Sequence, residues 1–391
     1  MLSDWCWPAL WVRSATCLGA FDIATCIPPG QQFLDTAASW TYHNTRHPSG
    51  KWTGTAYTGP VEFGVTYGED VVCVLGDGAN GNVCQKDVTI QLSDFDFVVP
   101  DVQAFGGIFG LAPVLERNHD EATFPASYQM WLDGRLGPQL GFHSCMELKS
   151  KETCGGGDMH MMLGGSAGVL VYDPEVMVYH NVTTSPCVTL GIKPAMTNFW
   201  AIPWTGFWID GQEIGAPSRK RIATSGRGRN STTKSISPSE CDTMTPVALM
   251  DEGSEGNGAP MTAQAYQALV SLTNATLAAD QSVGLNRGDQ LYYTVACQEA
   301  ASFPILTYEL SGKQNVTVEP AQYVAIVPAV GGSASATCYL NVRVWDRAKS
   351  GPGVFFGIPF FAKLYVLLDY ENLTVGLASL NKELLSVKSW A

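Results

Sequence analysis

Two stretches in opposite halves of the chain follow one pattern: "FLDTAASWTY" (Phe33 to Tyr42) and "LMDEGSEG" (Leu249 to Gly256). Each sets an aspartate after an apolar segment and a tight turn of small residues after the aspartate. A second pair repeats in step with the first. "FGGIFGLAP" (Phe105 to Pro113) and "GVFFGIPFF" (Gly353 to Phe361) each carry bulky apolar residues directly before a glycine and another apolar residue after it. An Asp-bearing turn followed by an apolar-apolar-Gly strand thus occurs once in each half, the mark of an internal duplication. Two related bodies are expected, each built around one such turn and one such strand.

Their class follows from composition. At 391 residues, 46% hydrophobic and 15% charged, the chain can bury a large core, and its size suits two or three domains or one two-lobed body. Glu, Lys and Arg are scarce. Gly, Pro, Thr, Val and aromatics instead form short apolar runs between turn residues, which predicts mainly β-structure with a few short helices. A net charge of −13 speaks against a nucleic-acid partner, which requires a concentrated cationic face.

Eleven cysteines and the sequons at Asn181, Asn230, Asn274, Asn315 and Asn372 point to the secretory pathway, an extracellular space or an acidic lumen, where thiols pair and sequons acquire glycans. Cys73 with Cys84 and Cys145 with Cys154 are close pairs. The odd count leaves at least one thiol over, and spacing does not assign Cys6, Cys17, Cys26, Cys187 and Cys241. The opening "MLSDWCWPALWVRSATC" lacks the basic start and apolar core of a signal peptide, so either it is not the native start or targeting lies upstream, and residues 1–20 read as an N-terminal extension. No apolar run reaches the length of a membrane span.

The paired Asp turns and apolar-Gly strands resemble the pepsin-like aspartic proteases, the family of pepsin and cathepsin D. The likeness runs in the family's order through "PPGQQF" (Pro28 to Phe33), "VTYGED" (Val65 to Asp70), "TNFWAIPWTGFWIDGQEIG" (Thr197 to Gly215), "VALMDEGSEGNGAPMTAQAYQAL" with a helix after Pro260, and the closing "FAKLYVLLDYENLTVGLA" (Phe361 to Ala378). It implies a bilobal, mainly β fold: an N-lobe over 21–179, a connection over 180–197, a C-lobe over 198–380 and a tail over 381–391. A Ser-, Thr-, Gly- and Arg-rich loop at 216–240 interrupts the C-lobe. The resemblance further implies a Cys297–Cys338 disulfide, Asp35 and Asp251 as the catalytic pair, and Tyr67 as the flap residue over the substrate.

Two carboxylates held around one water cannot both ionise easily, so the pair shares a proton. The ionised member accepts a proton from the attacking water while the protonated member donates to the peptide carbonyl. No metal or cofactor enters such a reaction. The support for the pair departs from the family's Asp-Thr/Ser-Gly-Ser/Thr. Thr36 is kept, but Ala37 and Ala38 follow where a glycine and a hydroxyl are expected. At the second turn Gly253 and Ser254 fit, while Glu252 replaces the threonine that cross-links the two loops. A disulfide between Cys73 and Cys84 would staple the flap. Two functions therefore stand side by side: an acid-working endopeptidase acting on peptide or protein substrates, and a catalytically inactive glycoprotein using the same scaffold for extracellular protein partners or self-assembly.

Other motifs weigh less. "GGSAG" around Ser166, with Asp173 and His180 after it, matches a nucleophile elbow, but strand rather than helix follows the serine. "GDGANG" (Gly76 to Gly81) lies between two cysteines without the strand-to-helix setting of a phosphate cradle. His43 and His47 lack a third ligand nearby in sequence, and the aromatics Trp200, Trp204, Phe207 and Trp208 suit a core.

Overall fold

The computed structural model describes residues 2–19, 33–45, 47, 50–56, 59–76, 81–97, 107–115, 124–145, 159–166, 168, 171–184, 198–214, 244–252, 258–279, 291–327, 336–345, 351–382 and 385. Strands dominate. In the first half these are β1 (Leu2–Asp4), β2 (Leu10–Gly19), β3 (His43–Asn44), β4 (Gly50–Ala56), β5 (Gly59–Val74), β6 (Val83–Phe97), β7 (Gly107–Gly110), β8 (Gln139–Ser144), β9 (Met159–Leu163) and β10 (Val178–Asn181). Next come β11 (Ala201–Ile209), β12 (Gln212–Glu213), β13 (Val247–Met250), β14 (Ala259–Thr262), β15 (Thr276–Leu277), β16 (Tyr293–Val295) and β17 (Leu306–Leu310). The chain closes with β18 (Gln314–Val318), β19 (Val324–Val327), β20 (Thr337–Leu340), β21 (Val342–Trp345), β22 (Gly353–Phe356), β23 (Leu364–Asp369) and β24 (Thr374–Ser379).

The described strands form five sheets, of which β14-β21 and β15-β16-β20-β19 are small and three larger ones organise the molecule. The first runs β1-β7-β2-β6-β5-β3, with β4 on β5; the second runs β18-β17-β11-β13-β22, with β12 on β11. The third, β10-β24-β23-β8-β9, takes strands from both halves of the chain and so joins them by backbone hydrogen bonds. Its β23 reads "LYVLLD", buried at every residue, as a strand covered on both faces must be. The expected mainly β, bilobal pepsin-like architecture is thereby the one found.

The duplication is visible in the pairing. Parallel neighbours are rare in a sheet of hairpins, yet β1 lies parallel to β7, with Asp4 opposite Gly110, and β13 lies parallel to β22, with Met250 opposite Phe356. β7 and β22 are the two apolar-Gly strands of the sequence repeat. Gly110 meets a steric demand: a Cβ there would strike the backbone carbonyls of Ala9 and Trp7.

Residues 2–19, expected to extend ahead of the first lobe, are instead two of its strands. Leu10, Trp11 and Phe109 are buried with Trp5 and Trp7, which explains the tryptophans of a segment that an extension would expose. The helix Ala263–Leu272 begins where Pro260 marked it, with the Thr262 hydroxyl accepting from the Ala265 N–H at 3.2 Å. The disulfides Cys73–Cys84 and Cys297–Cys338 are both present. Cys145 is disulfide-bonded, its expected partner Cys154 lying outside the described residues, as do the loop at 216–240 and Asn230. Asn181, Asn274, Asn315 and Asn372 are exposed. Among the described residues no helix is long and apolar enough to cross a membrane.

Candidate active site

The parallel pairs β1–β7 and β13–β22 deliver two aspartates to one place, and the first is Asp4. β1 ends at Asp4 and β13 ends immediately before Asp251. Each is held by the neighbouring apolar-Gly strand: the Leu111 N–H donates to the Asp4 carbonyl at 2.8 Å, and the Asp251 N–H to the Phe356 carbonyl at 3.1 Å. One oxygen from each carboxyl and the Cys6 sulfur all lie within 4.8 Å of one another. Those three atoms are also a set that could hold a small metal ion, as are His43, Glu69 and Asp87 on the surface.

Asp35 does not take part. It is exposed, and its Oδ1 accepts from the N–H groups of Ala37 at 3.0 Å and Ala38 at 3.3 Å, capping its own turn. Aspartate followed by small residues is the signature of such a turn as much as of a catalytic loop, which is why the sequence pattern misled. Thr36, Ala37 and Ala38 accordingly belong to that surface turn. Gly253 and Ser254 lie outside the described residues.

Tyr67 is the residue expected on the flap. It sits mid-strand in β5, paired with Gln91 of β6, and packs against the cluster of Cys6, Trp7, Trp11, Val65, Phe199 and Leu249. It therefore forms part of the wall beside the two acids. The Cys73–Cys84 bond joins opposed residues of the β5–β6 hairpin, the strand pair that carries Tyr67. In the same sheet β4 pairs antiparallel with β5, Ala56 opposite Gly59, and residues 57 and 58 lie outside the described residues.

Around Asp4 the backbone forms a small nest. The N–H groups of Cys6 and Trp7 donate to Asp4 Oδ1 at 2.8 and 3.0 Å, which favours the ionised form. Burial, and then the charge of Asp251, outweigh them and lift the Asp4 carboxyl to about 7. Burial and the same acidic neighbours push the Cys6 thiol up as well, so it stays a thiol, and its Sγ lies 3.6 Å from the Met250 carbonyl.

Beneath the acids the two loops are joined by a contact that the sequence flagged from one side only. The Trp5 N–H donates to Glu252 Oε2 at 2.9 Å, across 247 residues of chain. Trp5 follows Asp4 and Glu252 follows Asp251, so the bond links equivalent positions. The Trp5 ring leaves the loop sideways and packs at 4.8 Å from Phe142 and 5.1 Å from Phe361.

The rival triad is not assembled. Ser166 is exposed, Asp173 caps a short turn by accepting from the Glu175 N–H, and His180 pairs with Gln314 at 2.8 Å. His43 pairs with Glu69 at 2.8 Å, while His47 stacks edge-on against Tyr67. Trp200, Trp204 and Phe207 are core residues, as expected.

Asp4, Trp5 and Cys6 went unread because no Thr-Gly follows the aspartate. The available signal was topological: the strand Gly107–Gly110 requires a parallel partner ending in an aspartate, and "LSDW" supplies one.

Comparison with known proteins agrees with this architecture. The profile of the eukaryotic aspartyl protease family matches residues 8–380. The chain is 36% identical to "Secreted aspartic protease LUC8" of Fusarium sp, over 97% of this chain and 85% of that protein. It is 34% identical to "Secreted aspartic protease FUS4" of Gibberella moniliformis over the same shares. "Aspartic protease-like protein pytH" of Aspergillus terreus is 28% identical, over 96% of this chain and 85% of its own length. With the family profile running nearly end to end over a duplicated β-scaffold that brings two aspartates together, the chain belongs to the eukaryotic aspartyl protease family.

Proposed function

We propose that the chain is a secreted endopeptidase in which Asp4 and Asp251 share one proton and activate water against a peptide carbonyl. The observation carrying this reading is the meeting of the two carboxyls at the ends of two equivalent strands. The ionised member takes a proton as the water oxygen adds to the carbonyl carbon, and the protonated member donates to the carbonyl oxygen. As the C–N bond breaks, the amine leaves with a proton from the pair. Peptide or protein is the substrate class, and the secreted character follows the names of the Fusarium and Gibberella relatives.

The sign of the pH dependence follows from Asp4. With its carboxyl lifted to about 7, the shared proton is retained through the acidic range and leaves above it. Cleavage is therefore expected from acid to near neutrality, falling about tenfold per pH unit on the alkaline side once the proton is lost.

Cleavage of a denatured protein from pH 3 to 8 by the parent chain, D4N, D251N and D35N tests the assignment. D4N and D251N should each lose about 10²–10⁴-fold in kcat, the usual share of a positioned acid or base. D35N should cleave at the parent rate. A loss in D35N with D4N unaffected would overturn the pairing.

One observation favours the second reading, an inactive scaffold. Trp5 and Cys6 stand where the family has threonine and glycine, and the Cys6 thiol lies against both carboxyls. Absence of cleavage and of pepstatin-type binding by the folded, disulfide-intact chain would select it.

A further inference from the structure

We infer that Glu252 is the positioning residue of the pair: as an uncharged acid, it accepts the Trp5 N–H and so clamps the Asp4 loop to the Asp251 loop. The inference rests on Asp4 and Asp251 being the reacting acids.

Three observations carry it. The 2.9 Å bond joins the residue after one acid to the residue after the other, so its length sets the separation of the two loops directly. Glu252 is 3% exposed, and its second oxygen, Oε1, is buried without a hydrogen-bond partner. The titratable groups facing it are all acidic: Asp4 and Cys6 from the first loop and Asp251 from its own. Among the described residues no Lys, Arg or His pairs with it. An ionised carboxylate there would have only the backbone N–H groups of Trp5 and of Glu252 itself to offset its lost hydration, with one buried oxygen bare among other acids. The neutral acid keeps a carbonyl oxygen for the Trp5 N–H and carries its proton on the other oxygen. Burial first, then Asp4 and Asp251, raise its carboxyl well above the ordinary range, in the same direction.

The clamp differs in kind from the hydroxyl cross-link that the family pattern implies. A threonine at this position has no proton to lose in the working range, whereas Glu252 positions the pair only through its protonated form. The centre thus holds two protons, one shared by Asp4 and Asp251 and one on Glu252.

The test compares E252Q, which keeps a neutral carbonyl acceptor, with E252A, which removes it. Thermal unfolding would be run on both to establish that each folds. E252Q should cleave within about threefold of the parent, with an unmoved alkaline limb. E252A should lose about 10–100-fold in kcat with little change in KM, since a misplaced reacting group costs on that order. An alkaline limb shifted down by a unit or more in E252Q would overturn the inference. Removing a negative neighbour lowers a carboxyl, so that shift would mean Glu252 had been charged.

Two readouts stand apart from turnover. The infrared C=O stretch of a buried carboxylic acid should persist at neutral pH in a D4N background and vanish on adding E252Q. By carboxyl-carbon NMR, the Asp4 titration midpoint should fall by about one unit or more in E252A, as the loops part and Asp251 recedes, and hold in E252Q. If the parent cleaves nothing, the protease reading fails while these two measurements still decide Glu252. A missing band, or an Asp4 midpoint unchanged in E252A, sinks the inference even in an active enzyme.

Discussion

At Asp4 a single carboxyl links the site to the stability of the whole chain. Its ordinary value of 3.8 rises to about 7 in the fold, so the folded chain holds a proton that the unfolded chain has already released. Linkage then gives the sign: the contribution is fully present below about 4 and is lost as pH rises toward 7. Urea midpoints measured from pH 4 to 7 should therefore fall with rising pH, and D4N should flatten the fall. An equal slope in D4N would assign the effect elsewhere. The residue scale is also where the sequence was hardest to read. Asp35 and Asp4 are both aspartates near an apolar residue, Leu34 and Leu2, and only Asp35 is followed by the small residues that suggest a loop around an acid. In the fold, those small residues close an Asx turn at the surface, while Asp4 is followed by Trp5, whose ring is buried in the core, and by Cys6, whose thiol is buried against the two acids.

Elements were far more legible than the site. The helix Ala263–Leu272, the closing hairpin β23–β24 and the strand Gly353–Phe356 lie where their patterns put them. Each is specified locally, by a cap, a run of apolar residues or a turn. Disulfides act at this scale as well. Cys73 and Cys84 join opposed strand residues 11 apart, whereas Cys297 and Cys338 close a segment of 41. Loop-closure entropy predicts that replacing the second pair by alanine costs about 1 kcal/mol more than replacing the first, within a range of about 2–5 kcal/mol for each. Paired urea titrations of the two double variants would check it, and a larger loss at Cys73–Cys84 would contradict it.

For the whole molecule, the decisive contacts cross between halves. β8 of the first half and β23 of the second are neighbours in one sheet, and the Trp200 indole donates to the Leu111 carbonyl at 2.8 Å. Trp5 joins three segments at once, with its N–H on Glu252 and its ring against Phe142 of the shared sheet and Phe361 beyond β22. At 1% exposure, its replacement by alanine should cost about 3–5 kcal/mol. Because the cavity would open below both acids, cleavage should fall further than the fraction unfolded explains. Calorimetry and turnover on W5A, compared at a temperature where the variant is folded, would separate the two effects; parent-like turnover would show that the ring only stabilises.

The sequence alone determined the fold class, the duplication and the family, and it singled out Asp251 as a candidate, because periodicity, turn chemistry and a repeated strand pattern are written within short windows. Which aspartate meets Asp251, what joins the two loops and where Tyr67 packs were decided only by tertiary structure. Those are contacts between residues as much as 247 positions apart, set by which strands run parallel and which faces they bury.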